Sequence, residues 1–281
     1  TIAVRVDNSK QPNSRWYSGS GIYRNVRLVT VDPLHIAHWG TYVTTENVSA
    51  ESAGVSLRVT LENNSKETRN AELVSVIKDA DGKVKTKMSS KVSVLREEKM
   101  ETVQVMKLEK PQLWSDTRPY MYTITTQVVE DGRVIDEYDT PLGVRFFEFD
   151  REKGFSLNGE PTKIKGVCQH HDLGCLGTAI NVRELERQLQ ILKEMGCNSI
   201  RTSHNPPAPE LLDLCDRMGF IVQNEAFDMW HKRKSPEDYS HFFAEWHERD
   251  LTDFILRDRN HPSILMWSIG NEVLEQWVHM D

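Results

Sequence analysis

The sequence predicts a multidomain β plus α/β chain: the end of one β-domain, a complete β-sandwich, then the first half of a (β/α)8 barrel. Three observations predict it. Short runs with a period of two, divided by turn signals, fill the region up to about residue 146. From about residue 155 the period changes, and short apolar strands alternate with helical stretches. No glycine-rich phosphate loop follows any of those strands, which favours a barrel over a doubly wound sheet.

The first segment, residues 1–32, carries IAVRV and IYRNVRLVTV, both read as strands, and ends at Asp32-Pro33, a boundary signal. It begins directly in a strand-like run, so it is expected to be the tail of a β-domain that starts upstream. Residues 33–145 carry VSLRVTLEN, AELVSVIKD, KVSVL, ETVQVMKL and MYTITTQVV. Asn63-Asn64, Asp81-Gly82 and Asp131-Gly132 are expected to turn hairpins between them. Strands at this spacing and a domain of this size predict an immunoglobulin-like β-sandwich.

Residues 146–281 form the third region. KIKGV is its first strand. Asn181 and Glu184 make an N-x-x-E capping pair before a helix with Leu185, Leu189, Leu192 and Met195 on one face, ended by Gly196. CNSIRT is the second strand; Pro209 opens a helix through Leu212 and Cys215 that Gly219 closes. FIVQN is the third strand. A helix from near Phe242 to Leu256 offers Phe243, Trp246, Phe254 and Ile255 as apolar candidates. SILMWSIG is the fourth strand, with Trp267 read as core. Four strands and three helices make half a barrel, whose open edges predict self-association or local disorder.

With 35 basic against 42 acidic residues the net charge is −7, and no basic stripe is present, which argues against a nucleic-acid partner. No apolar run approaches the roughly 18 residues of a membrane helix. Cys168, Cys175, Cys197 and Cys215 contain no CxxC pair and read as four unpaired thiols. The compartment stays open between cytoplasmic and periplasmic or secreted, and homo-oligomerisation stays open too.

Catalytic groups of a (β/α)8 barrel sit at the C-terminal ends of strands. Those ends carry Gln169-His170-His171-Asp172, then Arg201-Thr202-Ser203-His204-Asn205, then Asn224-Glu225 followed by Asp228-Met229-Trp230-His231, and lastly Asn271-Glu272. Polar groups for hydroxyls, an aromatic plate and carboxylates are what a sugar site requires. Bland readings stand beside these: Glu272 as a solvated acid opening a helix, the histidines as loop residues, Trp230 as packing under a loop. Arg201 at a buried strand end needs a carboxylate partner. A zinc site of His170, His204 and His231 lacks metal-ligand spacing.

RTSHNPP, NEAFDMW and above all RDRNHPSILMWSIGNE resemble the glycoside hydrolases of the β-galactosidase, β-glucuronidase and β-mannosidase family, family 2. SRWYSGSGIYRNVRL resembles the closing strands of that family's sugar-binding jelly-roll domain, and GVRFFEFD with GFSLNGEPTKIKGVCQHHDLG its entry into the TIM barrel. The resemblance implies a retaining exo-β-glycosidase, a β-galactosidase first, acting on terminal β-D-galactosides of an oligosaccharide or other glycoside. It implies Glu272 as acid/base and Asn271 as the neighbour that binds the sugar 2-hydroxyl. His170 and His204 would line the pocket, and Arg201 would hold a nucleophile carboxylate. Asp228, Trp230 and His231 are further substrate-binding candidates, and Glu225 is expected to be structural or substrate-positioning. His231 matches a magnesium ligand of some β-galactosidases, but Met229 takes the companion acid position, so no metal or other cofactor is expected. The nucleophile of that family lies on a later barrel strand, so the 281-residue chain is expected to have little activity alone. β-Glucuronidase or β-mannosidase is the alternative within the family. A non-catalytic carbohydrate-binding protein is the alternative outside it.

Overall fold

The computed structural model describes residues 1–277. Its contacts divide the chain into two units, one of Leu28–Lys163 with Arg259–Pro262, the other of Thr1–Arg27, Ile164–Asp258 and the residues from Ser263 onward.

Seven strands make the first unit's sandwich: β1 (Leu34–Glu46), β2 (Ser52–Asn63), β3 (Arg69–Lys78), β4 (Val84–Val94), β5 (Lys99–Glu109), β6 (Tyr122–Glu130) and β7 (Arg133–Leu142). They form two antiparallel sheets, ordered β1-β2-β5 and β4-β3-β6-β7. β2 shows why. Ala53, Val55, Leu57, Val59 and Leu61 all point inward with no exposed surface, while the residues between them do not. Leu73, Ile77, Ile124 and Val128 meet them from the other sheet in one core. Asp131-Gly132 turns the β6–β7 hairpin with positive φ at both positions (49° and 75°), as a two-residue loop of the I′ kind requires. Asp79 accepts the backbone N–H groups of Asp81 and Lys83 and so builds the turn at Asp81-Gly82. Three short strands follow: β8 (Phe147–Asp150), β9 (Gly154–Leu157) and β10 (Glu160–Pro161).

Two expectations for this half need correction. Asn63-Asn64 does not turn a hairpin: β2 and β3 belong to different sheets, and the chain crosses between them there. Asn63 is fully buried, and its amide donates to the carbonyls of Glu67, Val94 and Leu95, tying the crossing down. The alternating runs within residues 1–32 form no strand. A strand exists only as one side of a ladder. Among the described residues none pairs with these, and Ile2, Val26 and Leu28 stay exposed.

The second unit contains β11 (Gly166–Gln169), α1 (Val182–Glu194), β12 (Ser199–Thr202), α2 (Pro209–Met218), β13 (Ile221–Glu225), α3 (Ser240–Asp258) and β14 (Ile264–Ser268). The four strands run parallel in the order β11-β12-β13-β14. β11 begins at Gly166 rather than Lys163, because Lys165 bonds Asn198 in the turn ahead of the ladder. Asn181 caps α1 by accepting the Glu184 N–H; Leu185 and Leu189 are buried, and Met195, as the C-cap, is exposed instead of joining that face. Gly219 ends α2 in the left-handed conformation. On α3, Phe243 and Phe254 are buried while Trp246 and Ile255 are exposed, so the apolar stripe is narrower than expected. Trp267 is 39% exposed, its ring set nearly perpendicular to that of Phe254, and it belongs to none of the buried clusters among the described residues, because its face of β14 is only partly covered. All four cysteines are free. No helix among the described residues is long and apolar enough to cross a membrane.

Candidate active site

The C-terminal ends of β12, β13 and β14 bring three charged or polar positions together. Glu225, the last residue of β13, has no exposed surface. A bare carboxylate there would be costly. Arg201 of β12 answers it with a forked pair, Nε to Oε2 at 3.0 Å and Nη2 to Oε2 at 2.8 Å. His204 Nδ1 lies 2.7 Å from Oε1, and the Ser268 hydroxyl donates to Oε2 at 2.7 Å. Burial pushes the Glu225 carboxyl up, yet the hydrogen bonds from His204, Ser268 and Arg201 outweigh it and hold it below its ordinary value. Thr202 supports the hub by accepting the Glu225 N–H at 2.8 Å.

Arg201 then links outward. Its Nη2 donates to the Asn271 side-chain oxygen at 2.8 Å, and the Asn271 amide donates to Asp228 Oδ1, also at 2.8 Å. Asp228 is buried and takes two cations on the same oxygen, Arg15 at 2.9 Å and Lys234 at 3.1 Å. Burial raises its carboxyl, but bonds from Asn271, Lys234 and Arg15 bring it below the usual carboxylate range. The chain Glu225–Arg201–Asn271–Asp228 therefore immobilises the residue immediately before Glu272. Glu272 itself is different. Its side chain is 71% exposed, it adopts φ of +44°, and among the described residues its one ion pair is a 3.6 Å approach to Arg15. It is a carboxyl group left accessible on a rigid base, suited to exchange a proton with a bound molecule. Gly270 keeps the approach narrow, since a Cβ there would meet Val273 and the Trp230 indole.

Beside this network, Trp16, His170 and His204 form an aromatic wall with centroids 5.1–5.4 Å apart. Burial and the neighbouring His204 lower the basicity of His170, and its Nδ1 is buried without a partner.

The structure thus brings together Arg201, His170, His204, Asn271, Asp228 and Glu272 of the sequence candidates. Trp230 packs instead: its N–H donates to the Ile269 carbonyl at 2.9 Å and its ring stacks on Phe243. His231 is exposed, with its ring against Phe243. Among the described residues His170, His204 and His231 do not gather as a ligand set. Nor do the residues fit a magnesium ion at His231: Met229 is buried and offers no oxygen, and Asp228 is committed to Arg15 and Lys234. Sequence reasoning missed Arg15, Trp16, Ser268 and Lys234. The first two lie in SRWYSGSGIYRNVRL, which reads as part of another domain, and Lys234 lies in a charge run that reads as solvated.

Residues 34–145 match glycosyl hydrolases family 2, and residues 150–280 match the family 2 TIM barrel domain. Over 98% of its length the chain is 58% identical to Beta-galactosidase BoGH2A of Bacteroides ovatus, covering 32% of that protein. It is 32% identical to a Beta-glucuronidase of Bacteroides fragilis over 98% of this chain and 41% of that one. The crystal structure of a beta-glycosidase from Bacteroides vulgatus superposes with a TM-score of 0.90 at 42% identity, over 95% of this chain and 34% of the other. The chain thus spans 32% and 41% of the lengths of these two curated relatives, less than half of either. With both matched regions contiguous and the folded sheets agreeing with them, the chain belongs to glycoside hydrolase family 2.

Proposed function

We propose that the protein carrying this chain is a retaining exo-β-galactosidase that hydrolyses terminal β-D-galactosides. Glu272 is its acid/base, and the nucleophile is a carboxylate outside these 281 residues. The observation that carries the reading is Glu272 itself, an accessible carboxyl group joined to an Asn271 locked by Arg201 and Asp228. The galactoside assignment is supported by the 58% identity to Beta-galactosidase BoGH2A.

In the first step the Glu272 carboxylic acid gives its proton to the glycosidic oxygen as the C1–O bond breaks. The nucleophile carboxylate meanwhile bonds to C1 from the opposite face, the two groups about 5–5.5 Å apart. In the second step Glu272, now a carboxylate, takes a proton from water, whose oxygen displaces the nucleophile. Asn271 and Arg201 contribute donors beside the ring, the His170–His204–Trp16 wall takes hydroxyls and a ring face, and Glu225 orients Arg201 and His204.

A second reading, β-glucuronidase, is favoured by the several relatives of that name among the matches. A panel of nitrophenyl glycosides separates the two. A polypeptide of the relatives' full length is expected to cleave the β-galactoside, with this 281-residue chain nearly silent. Cleavage of the glucuronide alone would move the sugar assignment; cleavage of none would remove the enzymatic reading. Turnover by the 281-residue chain alone would overturn the external nucleophile.

A further inference from the structure

Lys234 lies in the loop between β13 and α3, and its side chain is only 6% exposed. Its ammonium donates to the Asp228 carbonyl at 2.7 Å, to Asp228 Oδ1 at 3.1 Å and to the Asn271 carbonyl. All three N–H bonds are thereby used. The backbone beneath it is fixed by Asp238, whose carboxylate accepts the N–H groups of Lys234, Ser235 and Ser240.

The Asn271 carbonyl belongs to the peptide that joins Asn271 to Glu272. On its other side, the Asn271 N–H donates to the Phe227 carbonyl at 3.0 Å. The next residue, Glu272, holds φ of +44°, a conformation that a glutamate rarely adopts unless its surroundings impose it. Neutralising Asp228 does not by itself require a lysine here, because Arg15 already pairs with the same oxygen at 2.9 Å. What Lys234 adds is a grip on the backbone of the acid/base.

We propose that Lys234 is a positioning residue: it clamps the Asn271–Glu272 peptide so that Glu272 stands in its left-handed conformation, aimed at the glycosidic oxygen. The proposal rests on the reading of Glu272 as acid/base. In the first step, which kcat/KM reports, a misplaced acid hurts substrates that need protonation and spares those that do not, whereas a general loss of structure hurts both equally.

The test uses the full-length enzyme with two aryl glycosides of the sugar it cleaves, phenyl and 2,4-dinitrophenyl. In Lys234→Met, kcat/KM on the phenyl glycoside is expected to fall by about 30-fold or more, against a loss below about 5-fold on the dinitrophenyl one. Lys234→Ala should behave alike, and propylammonium, the missing piece of side chain, should restore about tenfold where potassium chloride at equal ionic strength does not. If neither variant folds, Lys234→Arg keeps a cation against Asp228 but cannot place three N–H bonds on three converging acceptors, and the same split is expected. Equal losses on the two glycosides, or none, would overturn the clamp. Glu272→Ala run in parallel separates the failures. If it shows the leaving-group split and the Lys234 variants do not, only the clamp falls; if it shows none, the acid/base reading falls and the clamp with it.

Discussion

The sandwich and the parallel sheet solve the same burial problem in opposite ways. In the sandwich, β2 turns five consecutive inward positions, Ala53 to Leu61, into apolar side chains, and the facing sheet supplies more of the same. In the parallel sheet the buried strand ends carry Arg201, Glu225 and, after β14, Asn271, each satisfied by another polar group. Apolar burial is non-directional and tolerates repacking. A polar hub works only at one geometry. The sandwich is thus built for stability and the strand ends for holding Glu272 still.

Mutations should expose this difference. Arg201→Met leaves Glu225 buried with only His204 and Ser268, and is expected to destabilise the second unit by about 3–5 kcal/mol. Denaturant unfolding read by hydrogen exchange in β12 and β13 peptides would measure it; protection unchanged there would mean that the pair is dispensable. Leu57→Ala in the sandwich is expected to cost about 2–4 kcal/mol through the cavity it leaves, read in β2 and β5 peptides and independent of pH.

The pH dependence sharpens the contrast. Glu225 has its folded value depressed, so its stabilising contribution is complete above its unfolded value of about 4.3 and fades as pH falls through the lower folded value. Protection from exchange, relative to the intrinsic rate at each pH, should therefore fall in β13 on acidification before it falls in β2, and Glu225→Gln should remove the extra acid sensitivity. Equal acid sensitivity of the two strands would contradict the hub. The smallest effect is expected at Gly132, where φ is +75°. Gly132→Ala should cost about 1 kcal/mol, seen as a small shift of the sandwich midpoint alone.

What the sequence disclosed follows the range of the forces involved. The alternation of β2, the Asp131-Gly132 turn, the Asn181 cap and the Gly219 stop are set within a few residues, and each stands where the pattern puts it. The Asn63 crossing was illegible because nothing local tells a hairpin from a passage between sheets; only the carbonyls of Val94 and Leu95 do. Trp267 resembled core because an apolar run does not reveal whether both faces of its strand are covered. Within the candidate site, the residues at the strand ends were readable from barrel geometry, and Asn271, Arg201 and Asp228 do touch. Arg15 and Lys234 were not, because a cation in a polar loop looks solvated until a buried carboxylate more than 200 residues away, or a neighbouring backbone carbonyl, claims it.

The most direct test of the account is Glu272→Ala in the full-length enzyme, assayed on aryl β-galactosides with and without azide. The variant should lose about 100-fold or more in kcat/KM on the phenyl galactoside and much less on the dinitrophenyl one. Azide, which needs no base to attack C1 of the glycosyl-enzyme, should then speed turnover of the dinitrophenyl substrate and yield β-galactosyl azide. Equal activity on both substrates, with no azide product, would contradict the role of Glu272 and the reading built on it.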